Sequence, residues 1–459
     1  MMTRLDGYNL LHRGVIALAE VEANGMRVDV PYLDSAIEQT AAHIKRLEEK
    51  LRGCEEYRRQ RRRYGLDTNL TSRDQLAAVL FEDMGHAPLS TTKGGKPQLD
   101  EAALESIGSQ YCRGFMRLEK LNKLHGTYLL GVRREVEGEF LHTFFGLHLV
   151  RSFRGQSDSP NLQNIPIRDP VQGAIIRRAF IPRPGHAIIE VDFSSIEVMI
   201  ACALSGDPKL TYDAVEGDMH RDMAGECYIL PGNLVLKPVR QEAKGGFVFA
   251  EFYGDWYKQV TRNLWDAIQR AKLTRPDGVS LYTHLREQGI LRMGECDPKK
   301  EPKPGTYEAH IKRVEDRFWN ERFRVYNAKR KAWVEEYNRN GYIDIVTGFR
   351  CGGPMTRNQV MNYHIQGPAF HCLLWSLIRA QDEIKRLRMG AKIVGQIHDS
   401  VVADVPLPEV QDYLALVGDI TTRQLRAAWD WITVPLRVEA EMSEVNWYEK
   451  TKVALPAAA

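Results

Sequence analysis

The segment "GQIHDSVVADV", Gly395 to Val405, constrains the fold more than any other. β-Branched residues flank a His-Asp-Ser tip, with Ile393-Val394 before it and Val401-Val402 after it. Such residues pack well on a pleated, buried surface. The pattern predicts a hairpin of two apolar strands with Asp399 at the tip. A lone carboxylate in that setting is costly to bury, so Asp399 needs a compensating partner.

A second acid has a similar setting. "AIIEVDFSSIEVMIACALSGD" (Ala187 to Asp207) reads as a strand, then Asp192, then a helix beginning near Ser194. Two carboxylates presented from adjacent strands of a buried sheet suit divalent metal ions. Mg²⁺ prefers one or two protein carboxylates together with substrate phosphate oxygens. A pair of such ions ~3.5–4 Å apart holds the attacking and leaving oxygens of a phosphoryl transfer. Taken singly, each Asp is as well explained as a turn residue bonded to backbone amides.

At 459 residues the chain is long enough for two or three subdomains with sizeable cores. Its net charge of +3 is nearly neutral and does not by itself announce a nucleic-acid partner. "YRRQRRRYG" (Tyr57 to Gly65) is a local basic cluster, equally a solvated face or a phosphate contact. The seven cysteines are scattered, with no CxxC pair and no Cys/His ligand spacing. That argues for a reducing compartment and against structural zinc. No apolar run reaches membrane-spanning length, and the opening "MMTRLDGYNLLHRG" lacks a signal-peptide core. A cytoplasmic protein with no membrane partner is expected.

Residues 8 to about 56 read as two amphipathic helices, ending at Asn24-Gly25 and at Gly53. "TSRDQLAAVLFEDMG" starts with capping chemistry at Thr71-Ser72 and stops at Gly85. Ser90 to Asp100 is a polar loop whose GGK lacks phosphate-loop spacing. Helices resume from Glu101 to about Val136, and Glu139 to Phe153 looks like an extended hairpin. Residues 208 to about 345 are mostly helical, interrupted by a Pro/Gly/Lys-rich insertion from Thr274 to Thr306. Short strands return from Gly341, followed by the helix "HCLLWSLIRAQDEIKRL" and the Asp399 hairpin.

Several segments together resemble the family A DNA polymerases, the group of bacterial polymerase I and many phage replicases. "DFSSIEVMIACALSGD" is similar to motif A and "GQIHDSVVADVP" to motif C. "SDSPNLQNIPIRDP" (Ser157 to Pro170), followed by "IRRAFIPRPGH", resembles the segment just before motif A. "RQEAKGGFVFAEFYG" (Arg240 to Gly254) resembles motif B, the helix of the fingers that meets the nucleotide. "MNYHIQGPAFH" (Met361 to His371) resembles the later helix that contacts primer and template. "VEANGMRVD" and "NLTSRDQLAAVLFEDMG" resemble the thumb region, so the likeness spans nearly the whole chain in the right order.

The resemblance implies an α+β right-hand fold with an antiparallel palm, a helical thumb and helical fingers. Its parts would be a palm-associated segment (1–32), thumb (33–136), first palm part (137–210), fingers (211–385, with the insertion near 274–306) and second palm part (386–459). It implies template-directed addition of deoxynucleotides to a primer 3′-hydroxyl with release of pyrophosphate. Asp192 and Asp399 would hold two Mg²⁺ ions, with Mn²⁺ as a substitute. Arg240 and Lys244, one helical turn apart, would face the triphosphate, although the pair reads equally as a solvated basic face. Phe249 would stack on the incoming base and Tyr253 would close against the template; both residue types are also ordinary core residues. Glu197 would exclude a 2′-hydroxyl, or else serve the helix dipole. His220 would contact the triphosphate, and His398 would lie near the primer terminus. Arg154, Asn161, Gln163, Asn164, Asn362 and Gln366 match positions that hold primer and template. Amides suit that task because minor-groove acceptors recur in every base pair.

The chain departs from the family pattern in three places. Ser400 stands where motif C usually has a glutamate, so an outer partner of the metal site is missing. Motif B carries one extra residue: the usual interval of four after Lys244 lands on Val248. Phe249 and Tyr253 fit only if Gly245-Gly246 absorbs a bulge. The insertion lengthens the fingers. Thumb-like sequence begins within the first ~30 residues, leaving less than an autonomous domain needs. No proofreading exonuclease is therefore expected here; a separately encoded exonuclease or processivity factor is a candidate partner. Two alternatives stay open: an RNA-copying or ribonucleotide-using enzyme of the same fold, and a catalytically weakened DNA-binding relic.

Overall fold

The computed structural model describes residues 2–89, 91, 95–167 and 169–456. At its centre lies a five-stranded antiparallel sheet. The strand order is Thr451–Val453, Val438–Ser443, His186–Phe193, Ser400–Pro406 and Lys392–Ile397. The last two form the expected hairpin, with His398-Asp399 as the tip. The alternation of side chains along a strand decides what each face does. Ala187, Ile189, Val191 and Phe193 of the central strand enter the largest core. There Val191 and Phe193 meet Leu373, Leu377 and Ala380 of the helix Arg357–Leu387, and Tyr413 and Val417 of the helix Val410–Asp419. Ile188 enters a second core with Val394, Ile397, Val402, Phe180 and Trp447. Glu190 and Asp192 follow Ile188 on that second face.

Helix ends obey local chemistry. The helix Arg4–Asn24 opens on a Thr3/Asp6 capping box and stops at Gly25 (φ 61°), where a Cβ would lie 2.8 Å from the His142 ring. The helix Val30–Arg52 is capped by Asp29 and stops at Gly53. The region from Val30 to Glu135 builds its own core from Leu51, Leu76, Leu80, Leu104, Tyr111 and Phe115. The basic cluster falls on the helix Glu55–Tyr64. Arg59 and Arg62 pair with Glu55, and Arg63 with Glu82 and Asp83. Arg58 and Arg61 donate to the Gly53 and Gly65 carbonyls. The run is thus largely tied into its own module.

Two expectations change. The segment Glu139–Phe153 is not one hairpin. Phe140–Leu141 pairs with Val136–Glu137 and Met26–Arg27, whereas Phe144–Gly146 pairs with Gln156–Asp158. Gly138 (φ 60°) supplies a two-residue hairpin turn earlier than the apolar pattern suggests. The insertion is more ordered than a surface loop. It carries the helix Leu281–Glu287 and is closed by bridges Thr274–Ser280 and Arg292–Thr306. Buried Lys258 anchors it by donating to the Asp297 and Lys300 carbonyls. Of the polar loop, Ser90 and residues 92–94 lie outside the described residues. Among the described residues no helix is long and apolar enough to cross a membrane.

The second helical region, from Met219 to Asn340, packs around Phe318, which is 1% exposed. Its ring meets Phe247, Trp319 and Phe323 edge-on at 5.2, 4.8 and 4.8 Å. Phe318→Ala leaves a cavity there and should cost about 3–5 kcal/mol, read as a lower denaturant midpoint with the far-ultraviolet spectrum retained.

Candidate active site

Asp192 and Asp399 are brought together by strand register. Ser400 faces Asp192 across the ladder, and the Phe193 amide donates to the Asp399 carbonyl at 3.2 Å. Among the described residues neither carboxylate accepts a hydrogen bond or forms an ion pair. Burial and then the charge of Asp399 push Asp192 up to about 7, and Glu190 and Glu439 add to the effect. Burial also raises Asp399, opposed by the charges of Arg154 and His398. Two unpaired carboxylates, Asp192 exposed and Asp399 half-buried, form a donor set that fits a divalent cation with free positions for water and phosphate.

The helix that carries the Arg-Lys pair has an unusual build. It is α-helical over Lys237–Ala243, widens to a π-turn over Lys244–Phe249, and is α-helical again over Ala250–Tyr253. A π-turn takes up one extra residue. Arg240, Lys244, Phe249 and Tyr253 therefore follow one face, while Val248 is fully buried. The Arg240 Nε donates to both Asp218 oxygens, at 3.0 and 2.9 Å. The Lys244 ammonium lies 5.2 Å from the centre of the Phe249 ring. His220 meets that ring edge-on at 5.7 Å. Burial, then the charges of Lys244 and Arg240, push His220 down to about 4, so it is neutral at pH 7. Phe249 and Tyr253 stand 6.5 Å apart.

Tyr253 links this helix to the acids. Its phenol hydrogen-bonds Glu197, on the helix that follows Asp192. Burial raises Glu197, and the Tyr253 bond and the Arg154 charge oppose that rise. Arg154 Nη1 lies 3.8 Å from Glu197 Oε1. Lys244, Phe249, Tyr253 and Glu197 thus make a chain of neighbours, and the charge of Asp399 acts on Glu197 at its end.

The amide residues divide into two groups. Asn362 donates to the Tyr253 carbonyl at 3.1 Å, one turn after Asn358 donates to Gly254 at 3.0 Å. They satisfy carbonyls left open at a helix end, and Gln366 follows one turn later on the helix Arg357–Leu387. Gln163 donates to Gln396 at 2.7 Å, and Gln396 donates to the His398 carbonyl at 2.7 Å, which braces the hairpin tip. His398 itself is exposed, with φ 51°. Asn161 is engaged locally instead: its side-chain oxygen accepts from the Asn164 amide and the Ser157 hydroxyl, both at 3.1 Å, and Asn164 is exposed.

Sequence reasoning missed three neighbours of the site: Asp218, Gln396 and Glu190. Asp218 was readable only as a helix cap. Gln396 and Glu190 sit inside apolar runs where alternation alone could have marked them as sharing a face with functional residues. Glu190 accepts from the Ser400 hydroxyl at 2.8 Å. The residue that replaces the usual motif C glutamate therefore reaches an acid on the neighbouring strand.

Comparison with known proteins places this architecture. The sequence pattern of DNA polymerase family A matches residues 32–449. The chain belongs to DNA polymerase family A, and its α+β fold is that family's right hand of antiparallel palm, helical thumb and helical fingers. It is 29% identical over 440 residues to the thermostable DNA polymerase I of Thermus filiformis, covering 94% of this chain and 47% of that protein. It is 26% identical over 445 residues to DNA polymerase I of Bacillus subtilis, covering 95% of this chain and 44% of that protein. The chain thus spans about half the length of these relatives. In structure it is similar to the POL domain of Pol1 from M. smegmatis, solved with DNA primer-template and dNTP, with a TM-score of 0.74. That likeness has 23% identity and covers 95% of this chain and 70% of the other.

A buried acid pair lies behind the π-turn helix. Glu251, 1% exposed, accepts from the Trp319 indole at 2.7 Å, and its other carboxyl oxygen has no hydrogen-bond partner among the described residues and feels the charge of Glu315. Burial raises both carboxyls, and the charge of Glu315 raises Glu251 further, against the Arg330 charge. The folded pair keeps a proton that the unfolded chain loses near pH 4.5. Its contribution to stability is full below that pH and falls as pH rises towards and through the raised values. Between pH 6 and 9 the wild-type thermal midpoint should fall more steeply than that of Glu251→Gln, as scanning calorimetry at several pH values would read.

Proposed function

We propose that the chain is a DNA-directed DNA polymerase that extends a primer 3′-hydroxyl with deoxynucleotides, using Asp192 and Asp399 as its metal acids. The observation that carries this reading is the chain of neighbours from Arg240 and Lys244 through Phe249 and Tyr253 to Glu197, which feels the charge of the unpaired Asp399. It offers cationic groups suited to a triphosphate, an aromatic ring suited to a base and hydrogen-bonding groups suited to a sugar, close to the two acids. Two Mg²⁺ ions, or Mn²⁺ in their place, would supply charge neutralisation and an activated 3′-hydroxyl when bound. Arg240 and Lys244 would neutralise and orient the triphosphate, with Asp218 holding the guanidinium in place. Neutral His220 would add a hydrogen bond there. Phe249 would stack on the base, and the Tyr253–Glu197 pair would close the sugar pocket against a 2′-hydroxyl. Arg154, Gln163, Asn362, Gln366 and His398 would hold primer and template, with Asn161 and Asn164 shaping the adjoining turn.

Within this reading the parts are a palm-associated segment (1–32), thumb (33–136), palm (137–210 and 386–459) and fingers (211–385), with the helix Arg357–Leu387 running from the fingers to the palm sheet. No 3′→5′ exonuclease activity is assigned to these residues. Binding should be independent of sequence and should weaken as salt rises. Single-nucleotide extension of a labelled primer-template tests the assignment. No extension with any nucleotide would favour the relic, and equal use of ribonucleotides would favour the ribonucleotide-using alternative.

Asp192→Asn and Asp399→Asn should each lose about three or more orders of magnitude in extension rate. The double variant should be little worse than the worse single one, since effects within one catalytic unit do not add. Primer-template affinity should survive in a filter-binding assay. Glu197→Ala should raise the ribonucleotide-to-deoxynucleotide incorporation ratio, measured in competition on one template; an unchanged ratio would remove Glu197 from the sugar pocket.

A further inference from the structure

A buried ion pair lies beside the two acids. Glu190 stands two residues before Asp192 on the same face of the central strand. Lys450, just before the C-terminal strand, pairs with it, and the two side chains are only 6% (Lys450) and 13% (Glu190) exposed. Lys450 also pairs with Glu441 at 3.0 Å. Glu441 is the residue opposite Glu190 across the ladder, and like charges at facing positions repel. Lys450 cancels that repulsion. The other Glu190 partners are the Trp447 indole at 2.9 Å and the Ser400 hydroxyl at 2.8 Å.

We propose that Glu190 and Lys450 are positioning residues of the metal site, holding Ser400 so that Asp192 and Asp399 present their carboxylates to one cation. The argument rests on the reading of those two acids as metal ligands. Stability alone gives little reason for such a pair, because well-packed apolar residues often replace buried ion pairs without loss. The geometry does give a reason. Ser400 faces Asp192 in register and follows Asp399 in sequence. A bond from its hydroxyl to a fixed carboxylate therefore adds a side-chain tie, beside both acids, to the backbone ladder that joins their strands. The hydroxyl has one proton, and its other neighbour is the Ile397 carbonyl, at 3.0 Å. With Glu190 loosened, Ser400 turns to its own hairpin and the side-chain tie next to the acids is lost.

The test measures Mn²⁺ binding to the purified full chain by loss of the free-ion paramagnetic resonance signal, alongside single-turnover extension. Asp192→Asn serves as the control for the underlying reading: if it binds Mn²⁺ as tightly as wild type, the metal assignment fails and this inference fails with it. If it binds weakly, the positioning variants decide separately. Glu190→Gln and Lys450→Met should each weaken Mn²⁺ binding by roughly 10-fold, within the ~10–100-fold range of outer-partner substitutions. Their extension rate should fall while KM for the nucleotide stays within about 2-fold, as expected when the lost interaction is not one of substrate binding. Lys450→Arg should retain binding within about 3-fold, and the double variant should be no worse than the worse single one. Ser400→Ala removes only the hydroxyl and covers the case in which a charge variant fails to fold; it should weaken Mn²⁺ by a few-fold. Wild-type Mn²⁺ affinity and extension in folded Glu190→Gln, or in Ser400→Ala if that variant alone folds, would overturn the proposal.

Discussion

The antiparallel pairing of His186–Phe193 with Ser400–Pro406 underlies everything else at the site. Seven successive residues are in register, from Pro406 opposite His186 to Ser400 opposite Asp192. A slip of one residue would exchange the two faces of a strand. Val191 and Phe193 would then move to the face that carries the acids, and Asp192 would enter the core beside Leu373 and Leu377. The apolar side chains on both faces are what fix the register. They hold two carboxylates side by side against their own repulsion, and the large buried area around them tolerates that local penalty.

The helix bearing Arg240 to Tyr253 approaches these acids from the other side and is held at both ends. Asp218 grips Arg240 near its start, and Asn358 and Asn362 bind the carbonyls of Gly254 and Tyr253 at its end. Between them, Phe247 packs against Phe318, and Glu251 bonds Trp319. The exposed face is therefore supported by polar contacts at the termini and by aromatic packing along the back. The Tyr253–Glu197 contact is where this helical support meets the sheet.

Much of this was legible in the sequence because its causes are local. The hairpin and the central strand announce themselves by β-branched runs broken at a single acid. The helix ends at Gly25 and Gly53 follow from caps and glycines next to them in the chain. What stayed hidden depends on distant residues. The two- and three-residue strands near Phe140 and Phe144 choose partners by proximity, and Met26 carries no signal for Leu141. The basic helix Glu55–Tyr64 read equally as a solvated face or a phosphate contact, because the Glu82 and Asp83 that pair with Arg63 lie about 20 positions away. Glu190 and Lys450 are separated by 260 positions, and nothing near either residue points to the other. The role of Ser400 depends on the same long-range contact.

The π-turn at Lys244–Phe249 has a consequence for anyone who transfers knowledge between relatives. The helix contains a frame shift that the folded chain absorbs and a residue count does not. A substitution carried over by counting from Lys244 lands on Val248, sealed in the core, rather than on Phe249, which is half-buried beside Lys244, His220 and Tyr253. From there to Gly254, correspondence has to be read from the helix face and not from position in the chain. Two homologous helices can agree in space while disagreeing in their numbering.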